Sequence, residues 1–300
     1  MNIKPSCPTP SNLRIFKLSL LDQLIPQPYA PIVLFYLPND NNYSDHCDQN
    51  DISNRLESLR KSLSSTLTRF YPLAGKFKDQ LSIECNDEGA NYVETQAVGF
   101  SLRQFLSHPG PDLLLVNVFD CGGIALGLCI AHKILDGVAL STFINLGPPR
   151  PKVSITRLGP ISWRALLFPA DDSLWLSDCS KAMFGSLFSK GKSITKRFVF
   201  NSSSISILKS QSASSDVENP TRVEAVSGFL VAMFCELGCS EGVDYMGVSS
   251  WCRIGFYEAD LGGEGLYGLG ELDEDDMAIV ECNTQLLQLA QVDPSPLELD

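Results

Sequence analysis

The sequence predicts an α/β chain in which helices pack on mixed sheets, an α+β arrangement, divided between two domains. Three observations carry that prediction. Apolar runs with period two, such as "GGIALGLCIAH" (122–132), read as strands. Leucines at three- and four-residue steps across 53–72 read as one face of a helix. The Pro-rich junction "GPPRPK" (147–152) breaks the pattern and closes a first domain at about residue 150.

Taken in order, "PIVLFYL" (31–37) is a buried-strand candidate, followed by the polar loop "PNDNNYSDHCDQND". In "SNRLESLRKSLSSTLTRFYP" (53–72), Leu56, Leu59, Leu63, Leu67 and Phe70 share a helical face. Asn54 with Glu57 makes a capping-box pattern at its start, and Pro72 stops it. "LSIECND" and "YVETQAV" read as a strand pair around "NDEGAN", and "LLLVNVFD" and "GGIALGLCIAH" as a second pair around "DCGG". The short helix "VALSTFINL" completes the first domain, 1–150. A linker-like crossover, 151–195, leads to a second region, 196–300. There "KRFVF" reads as a strand, "SSISILKSQSA" as a helix, and "PTRVEAVSGFLVAMFCEL" as a stronger helix opened by a Thr221–Glu224 capping box. The acids that open "DEDDMAIVECNTQLLQLA" suit a helix N-terminus.

Composition narrows the function. The 300 residues can bury a large core, and 44% hydrophobic with 19% charged residues is globular usage. A net charge of −12 argues against nucleic acid or an acidic membrane as partner, since phosphates need clustered Lys and Arg. The start lacks a long apolar segment behind a basic flank, and no stretch reaches the ~18 apolar residues of a membrane span. Ten cysteines without C-x-x-C pairs read as reduced thiols of a cytosolic protein, so the sequons at Asn42 and Asn201 have no consequence. Metal-ligand spacing is absent, and no metal is expected. Gly263, Gly265 and Gly268 satisfy G-x-G-x-x-G, but without the strand before and helix after that a dinucleotide site requires.

Of the three histidines, His46 lies in a polar loop and His108 precedes a Pro-Gly turn. His132 differs. It ends a strand whose Ile124, Leu126, Leu128 and Ile130 share one face, and element ends are where sites are built. Asp136 follows four residues on. The pair can be a catalytic base with a positioning partner. It can equally be a strand end followed by an Asp-Gly turn.

Wider context bears on that choice. "GGIALGLCIAHKILDG" resembles the H-x-x-x-D-G signature of the plant BAHD acyltransferases, which move an acyl group from a coenzyme A thioester to an alcohol or amine. Collinear stretches resemble the same family: "KLSLLDQ" (17–23), "LSSTLTRFYPLAGKF" (63–77), "IECNDEGANYVE" (83–94), "NPTRVEAVSGF" (219–229), "SSWCRIGFYEAD" (249–260) and "ELDEDDMAIVE" (271–281). The opening is most similar to the vinorine-synthase-like branch, whose members acetylate alkaloid hydroxyls. The resemblance implies a two-domain, chloramphenicol-acetyltransferase-like architecture and a monomer that takes acetyl-CoA as co-substrate and a small-molecule alcohol as acceptor. His132 would be the general base in direct attack on the thioester, a role that fits a side chain with an ordinary pKa near 6.5. Asp136 would be structural, although a plain turn aspartate is nearly as good a reading. The basic stretch "SKGKSITKR", with Lys190, Lys192, Lys196 and Arg197, is a candidate for the anionic cofactor or simply a solvated linker.

The chain also departs from the family. Where D-F-G-W-G is expected it has "DLGGEG", keeping Asp260 and Gly262 as structural residues but losing both aromatics. Blocks expected after "INLGPPRPK", between "VAMFCELGCSEG" and "VDYMGVSSWCR", and around "GGEGLYGLG" are missing, so the second domain is expected to be truncated. In the family, both reactants bind between the two domains. Two functions therefore stay open: an acyl-CoA-dependent O-acyltransferase, and a non-catalytic truncated member, either a poorly folded product or a binding protein that pairs with a full-length relative.

Overall fold

The computed structural model describes residues 1–25, 29–36, 49–99, 101–102, 116–145, 165–171, 195–236 and 278–283. The chain begins with strands β1 (Asn2–Ile3) and β2 (Ile15–Lys17) and the one-turn helix α1 (Leu20–Leu24). Strand β3 (Tyr29–Tyr36) precedes the long helix α2 (Gln49–Arg69), and a 3-10 turn over Tyr71–Ala74 follows. Next come β4 (Lys76–Phe77), β5 (Ser82–Glu84), β6 (Ala90–Asn91) and β7 (Glu94–Ala97). The hairpin of β8 (Val116–Phe119) and β9 (Ile124–Ala131) leads into helix α3 (Gly137–Asn145). Beyond lie β10 (Thr195–Phe200), α4 (Ser202–Ser212), α5 (Arg222–Glu236) and β11 (Ala278–Asn283). Two compact units result: Met1–Met183 with Trp251–Leu269, and Phe184–Ser250 with Gly270–Asp300. Mixed sheets with helices in two units are the α/β class expected.

The first unit is built on a mixed sheet of order β3-β9-β8-β7, in which only β7 and β8 run parallel. Its core joins Ile32, Leu34 and Tyr36 of β3 to Ile124 and Leu126 of β9, under Leu59 and Leu67 of α2 and Leu140 and Phe143 of α3. The leucine stripe of α2 is thus the buried face its spacing predicts. Phe70 is 1% exposed and meets Phe143 edge-on at 5.4 Å, wedging the end of α2 against α3. In the β8–β9 turn, Gly122 N donates to Phe119 O at 2.8 Å and Phe119 N to Gly123 O at 2.9 Å. Gly122 has φ 79°, which glycine adopts without Cβ strain. The buried Arg55 of α2 donates from Nη1 to Gly122 O at 2.9 Å, tying that turn to the helix.

Three expectations need correction. The helix begins at Gln49, so Asn54 and Glu57 lie inside it and form no start; the buried Ile52 is what the extra turn gains. "LSIECND" and "YVETQAV" do not pair. β5 is the central strand of the order β2-β5-β4 with both edges occupied, so β7 pairs with β8 instead. In the acidic tail, 278–283 is the strand β11, antiparallel to β10 from Phe200↔Ala278 to Thr195↔Asn283. The β-branched Ile279 and Val280 take a sheet partner more readily than they extend a helix.

The turn between β5 and β6 clamps the N-terminal segment instead of closing a hairpin. Asp87, at φ 58°, accepts from Thr9 Oγ1 at 2.6 Å and Thr9 N at 3.0 Å, and pairs with Arg14 at 3.2 Å. Burial alone would raise its pKa, but the Thr9 bonds and the Arg14 charge outweigh it and hold the carboxyl below its usual range. A depressed native pKa stabilises above the unfolded value, near 3.9, and loses that contribution as pH falls through the native value. Asp87→Asn is therefore expected to lower the urea midpoint at neutral pH, and the gap from the parent should close below about pH 4.

In the second unit, α4 and α5 pack through Ile205, Leu208, Ala225 and Val226, with Phe200 edge-on to Phe229 at 6.1 Å. Both helices are capped, the second by the box expected. Asn201 accepts from Ser204 N at 2.8 Å, and Thr221 with Glu224 forms the reciprocal box (Thr221 N to Glu224 Oε2, 2.6 Å; Glu224 N to Thr221 Oγ1, 3.2 Å).

Candidate active site

Strand β9 is paired along both edges, so its end is held from two sides. Tyr29 of β3 is in register with Ala131, its last residue. His132 comes next and is exposed, whereas Ala131, Lys133 and Leu135 are buried and Ile134 half-buried. The chain then turns, with Ile134 N and Leu135 N both directed at Ala131 O, at 2.9 and 3.4 Å. Within 131–135, the imidazole is thus the side chain presented outward.

Asp136 ends the turn and starts α3. Its Oδ1 accepts from Ala139 N at 2.8 Å while its carbonyl accepts from Leu140 N at 2.8 Å, the two bonds of a helix N-cap. The H-x-x-x-D spacing therefore joins a strand end to a helix start through one anchored turn, with Gly137 as the first helical residue. Asp136→Ala is expected to cost about 0.5–2 kcal/mol of stability and Asp136→Asn much less, since asparagine caps equally well; urea denaturation measures both.

Two buried charged side chains, one of them in this turn, are not singled out by the sequence reading. Lys133 is 7% exposed, and burial pulls its pKa down while the Asp22 charge opposes the shift. Asp22, 8% exposed, sits in the first turn of α1. The signal for Asp22 was legible: "SLLD" (19–22) is a capping-box pattern, and Ser19 and Asp22 form that box. Nothing local marks Lys133 as buried, because lysine is usually solvated.

Cys85 lies in the buried cluster against which Ile134 packs. Burial pushes the Cys85 thiol up to about 11, which keeps it protonated. Of the other candidate residues, Lys196 and Arg197 are on β10, in register with Cys282 and Glu281 of β11. Lys190, Lys192, Asp260 and Gly262 lie outside the described residues, as do His46, His108 and the G-x-G-x-x-G glycines. Two open surface depressions involve other residues. One, of about 620 Å³, is lined by Leu20, Leu81 and 167–171; the other, of about 520 Å³, by β1 and the residues just after it and by α2. Among the described residues, no helix is long and apolar enough to cross a membrane.

Known proteins are similar to this chain. The sequence model of the Transferase family matches residues 1–118 and 111–237. Akuammiline synthase 2 of Alstonia scholaris is 37% identical over 254 residues, 76% of this chain and 54% of that one. Stemmadenine O-acetyltransferase of Catharanthus roseus is 33% identical over 267 residues, 78% of this chain and 59% of that one. The crystal structure of vinorine synthase superposes with a TM-score of 0.59 at 28% identity, covering 79% of this chain and 59% of that one. The chain spans just over half the length of the curated relatives it matches.

Proposed function

From the premise that this chain belongs to the plant BAHD acyltransferases of the Transferase family, we propose that it is an acyl-CoA-dependent O-acyltransferase. The reaction is acetyl transfer from acetyl-CoA to a hydroxyl of a plant specialised metabolite such as an alkaloid. The observation that carries this reading is the exposed His132 at the end of β9, with buried neighbours on either side and Asp136 capping the helix beyond. That arrangement holds one imidazole outward on a backbone it does not itself support.

The chemistry follows from the side chain. Neutral imidazole takes the proton of the acceptor hydroxyl as its oxygen bonds to the thioester carbonyl carbon. The carbon–sulfur bond then breaks, and the imidazolium returns the proton to the departing thiolate. Acetyl-CoA is consumed as a substrate, no acyl-enzyme forms, and no cysteine is required. Asp136 keeps the turn in place. Lys190, Lys192, Lys196 and Arg197 are the cations assigned to the coenzyme A phosphates, and Asp260 and Gly262 to loop support. The protein works as a cytosolic monomer, with 1–150 carrying the base, 151–195 crossing over and 196–300 forming the shortened second domain.

The test incubates purified protein with acetyl-CoA and a panel of alkaloid and terpenoid alcohols, following thiol release and acetylated product. Absence of product across the panel defeats the enzymatic reading. The coverage of relatives favours a second reading, a non-catalytic member that pairs with a full-length relative. That reading requires co-purification with such a relative and no thiol release by this chain alone.

A further inference from the structure

A hydroxyl residue followed three positions later by an acid occurs three times among the described residues: Ser19–Asp22, Ser215–Glu218 and Thr221–Glu224. Capping consumes two of them. The buried Ser19 hydroxyl donates to Asp22 Oδ2 at 2.7 Å, and Thr221 with Glu224 opens α5. Ser215 starts no helix. It lies on the loop between α4 and α5, where 213–219 are exposed throughout. Among the described residues, no hydrogen bond engages its hydroxyl.

The loop holds Ser215 at its tip. Ser214 N donates to Val217 O at 3.0 Å and Val217 N to Ser214 Oγ at 3.2 Å, closing the turn on 214 and 217 with Ser215 and Asp216 at the apex. Neighbouring hydroxyls are engaged: Ser214 by that bond, and Ser212 by donating to Leu208 O at 2.7 Å. Residues 214–217 are exposed, so water replaces the turn's bonds and opening it into an extended segment costs little. Asp216 and Glu218, one and three residues after the serine, give it an anionic flank, and no Lys or Arg lies between Lys209 and Arg222. Such a flank fits a basic substrate groove and is repelled by an acidic one.

We propose that Ser215 is a phosphorylation site for an acidophilic serine/threonine kinase, and that its phosphate loosens the last turn of α4. The bond from Ser215 Oγ to the γ-phosphorus of ATP forms as the β–γ phosphate bond breaks; ADP leaves, and the hydroxyl proton passes to the kinase's base. The phosphate then stands two residues past Ala213, the C-cap of α4, beside Asp216 and Glu218. Both the helix C-terminus and these acids repel it. Leu208, which packs with Ala225 and Val226 of α5, heads the turn that would loosen. The test incubates the full chain with casein kinase 2 and ATP and places the phosphate by mass spectrometry. Ser215 should carry it, Ser215→Ala should leave 213–221 unmodified, and Ser19 and Thr221 should stay free of it. Glu218→Gln should slow incorporation about 10-fold, the scale of one lost charged contact. Both substitutions fall on an exposed loop and should leave the unfolding curve as in the parent. Hydrogen exchange in a peptide spanning 208–213 should be about 2- to 5-fold faster in the phosphorylated chain, the size of a charge effect at a helix end, with α2 unchanged. No phosphate on Ser215, incorporation indifferent to Glu218, equal modification of Ser19 or Thr221, or unchanged exchange at 208–213 would each overturn the proposal.

Discussion

Replacing His132 by alanine is expected to lower the rate of thiol release from acetyl-CoA by about 10²–10⁴-fold, the span a positioned general base contributes. Stability should hardly change. The side chain is exposed and lies outside the core clusters, so Tm should stay within about 2 °C of the parent. The dissociation of the two readouts is the informative part. A turn histidine with no chemical role leaves both unchanged, and a structural histidine moves both. His132→Gln sharpens the comparison, because glutamine keeps polarity and size but cannot take a proton near neutral pH. Equal thiol release from the parent and both variants would leave the chain with its ancestry and no base.

The second large effect is on stability. Phe70→Ala is expected to cost about 3–5 kcal/mol, the usual range for emptying a buried phenylalanine site. Two features place it at the upper end. The ring is 1% exposed and packs edge-on against Phe143. Urea denaturation followed by circular dichroism reads the loss. Because Phe143 lies on α3, which Asp136 caps, the damage should extend to the candidate site. Phe70→Leu fills most of the volume and should recover more than half of the loss. A cost below about 1 kcal/mol for Phe70→Ala would mean that α3 does not depend on the wedge.

How far the sequence could be read depended on whether the signal was local. The stripe of α2, the β8–β9 hairpin and the Thr221–Glu224 cap are each written within one segment, and each is present. Pairing partners are not local. β5 finds β2 and β4, and β7 finds β8, by edge availability across the whole unit. Similarly, the acids at 273–276 read as a helix start, yet 278–283 is a strand because β10 offers it an edge. The site divides the same way. His132 stood out by its place at a strand end, and Asp136 by its spacing. The burial of Lys133 is set by tertiary packing, and nothing in its own window of sequence announces it.

The double-edged pairing of β9 has a further consequence for the order of assembly. Its neighbours are an early segment and an adjacent hairpin arm, so the strand cannot be completed until the chain has emerged beyond residue 131 and folded back on β3. Such distant closure is slow, and until it happens the unpaired β3 edge is an aggregation hazard. Yield on expression should therefore respond to growth temperature and chaperone supply before it responds to any change at the histidine.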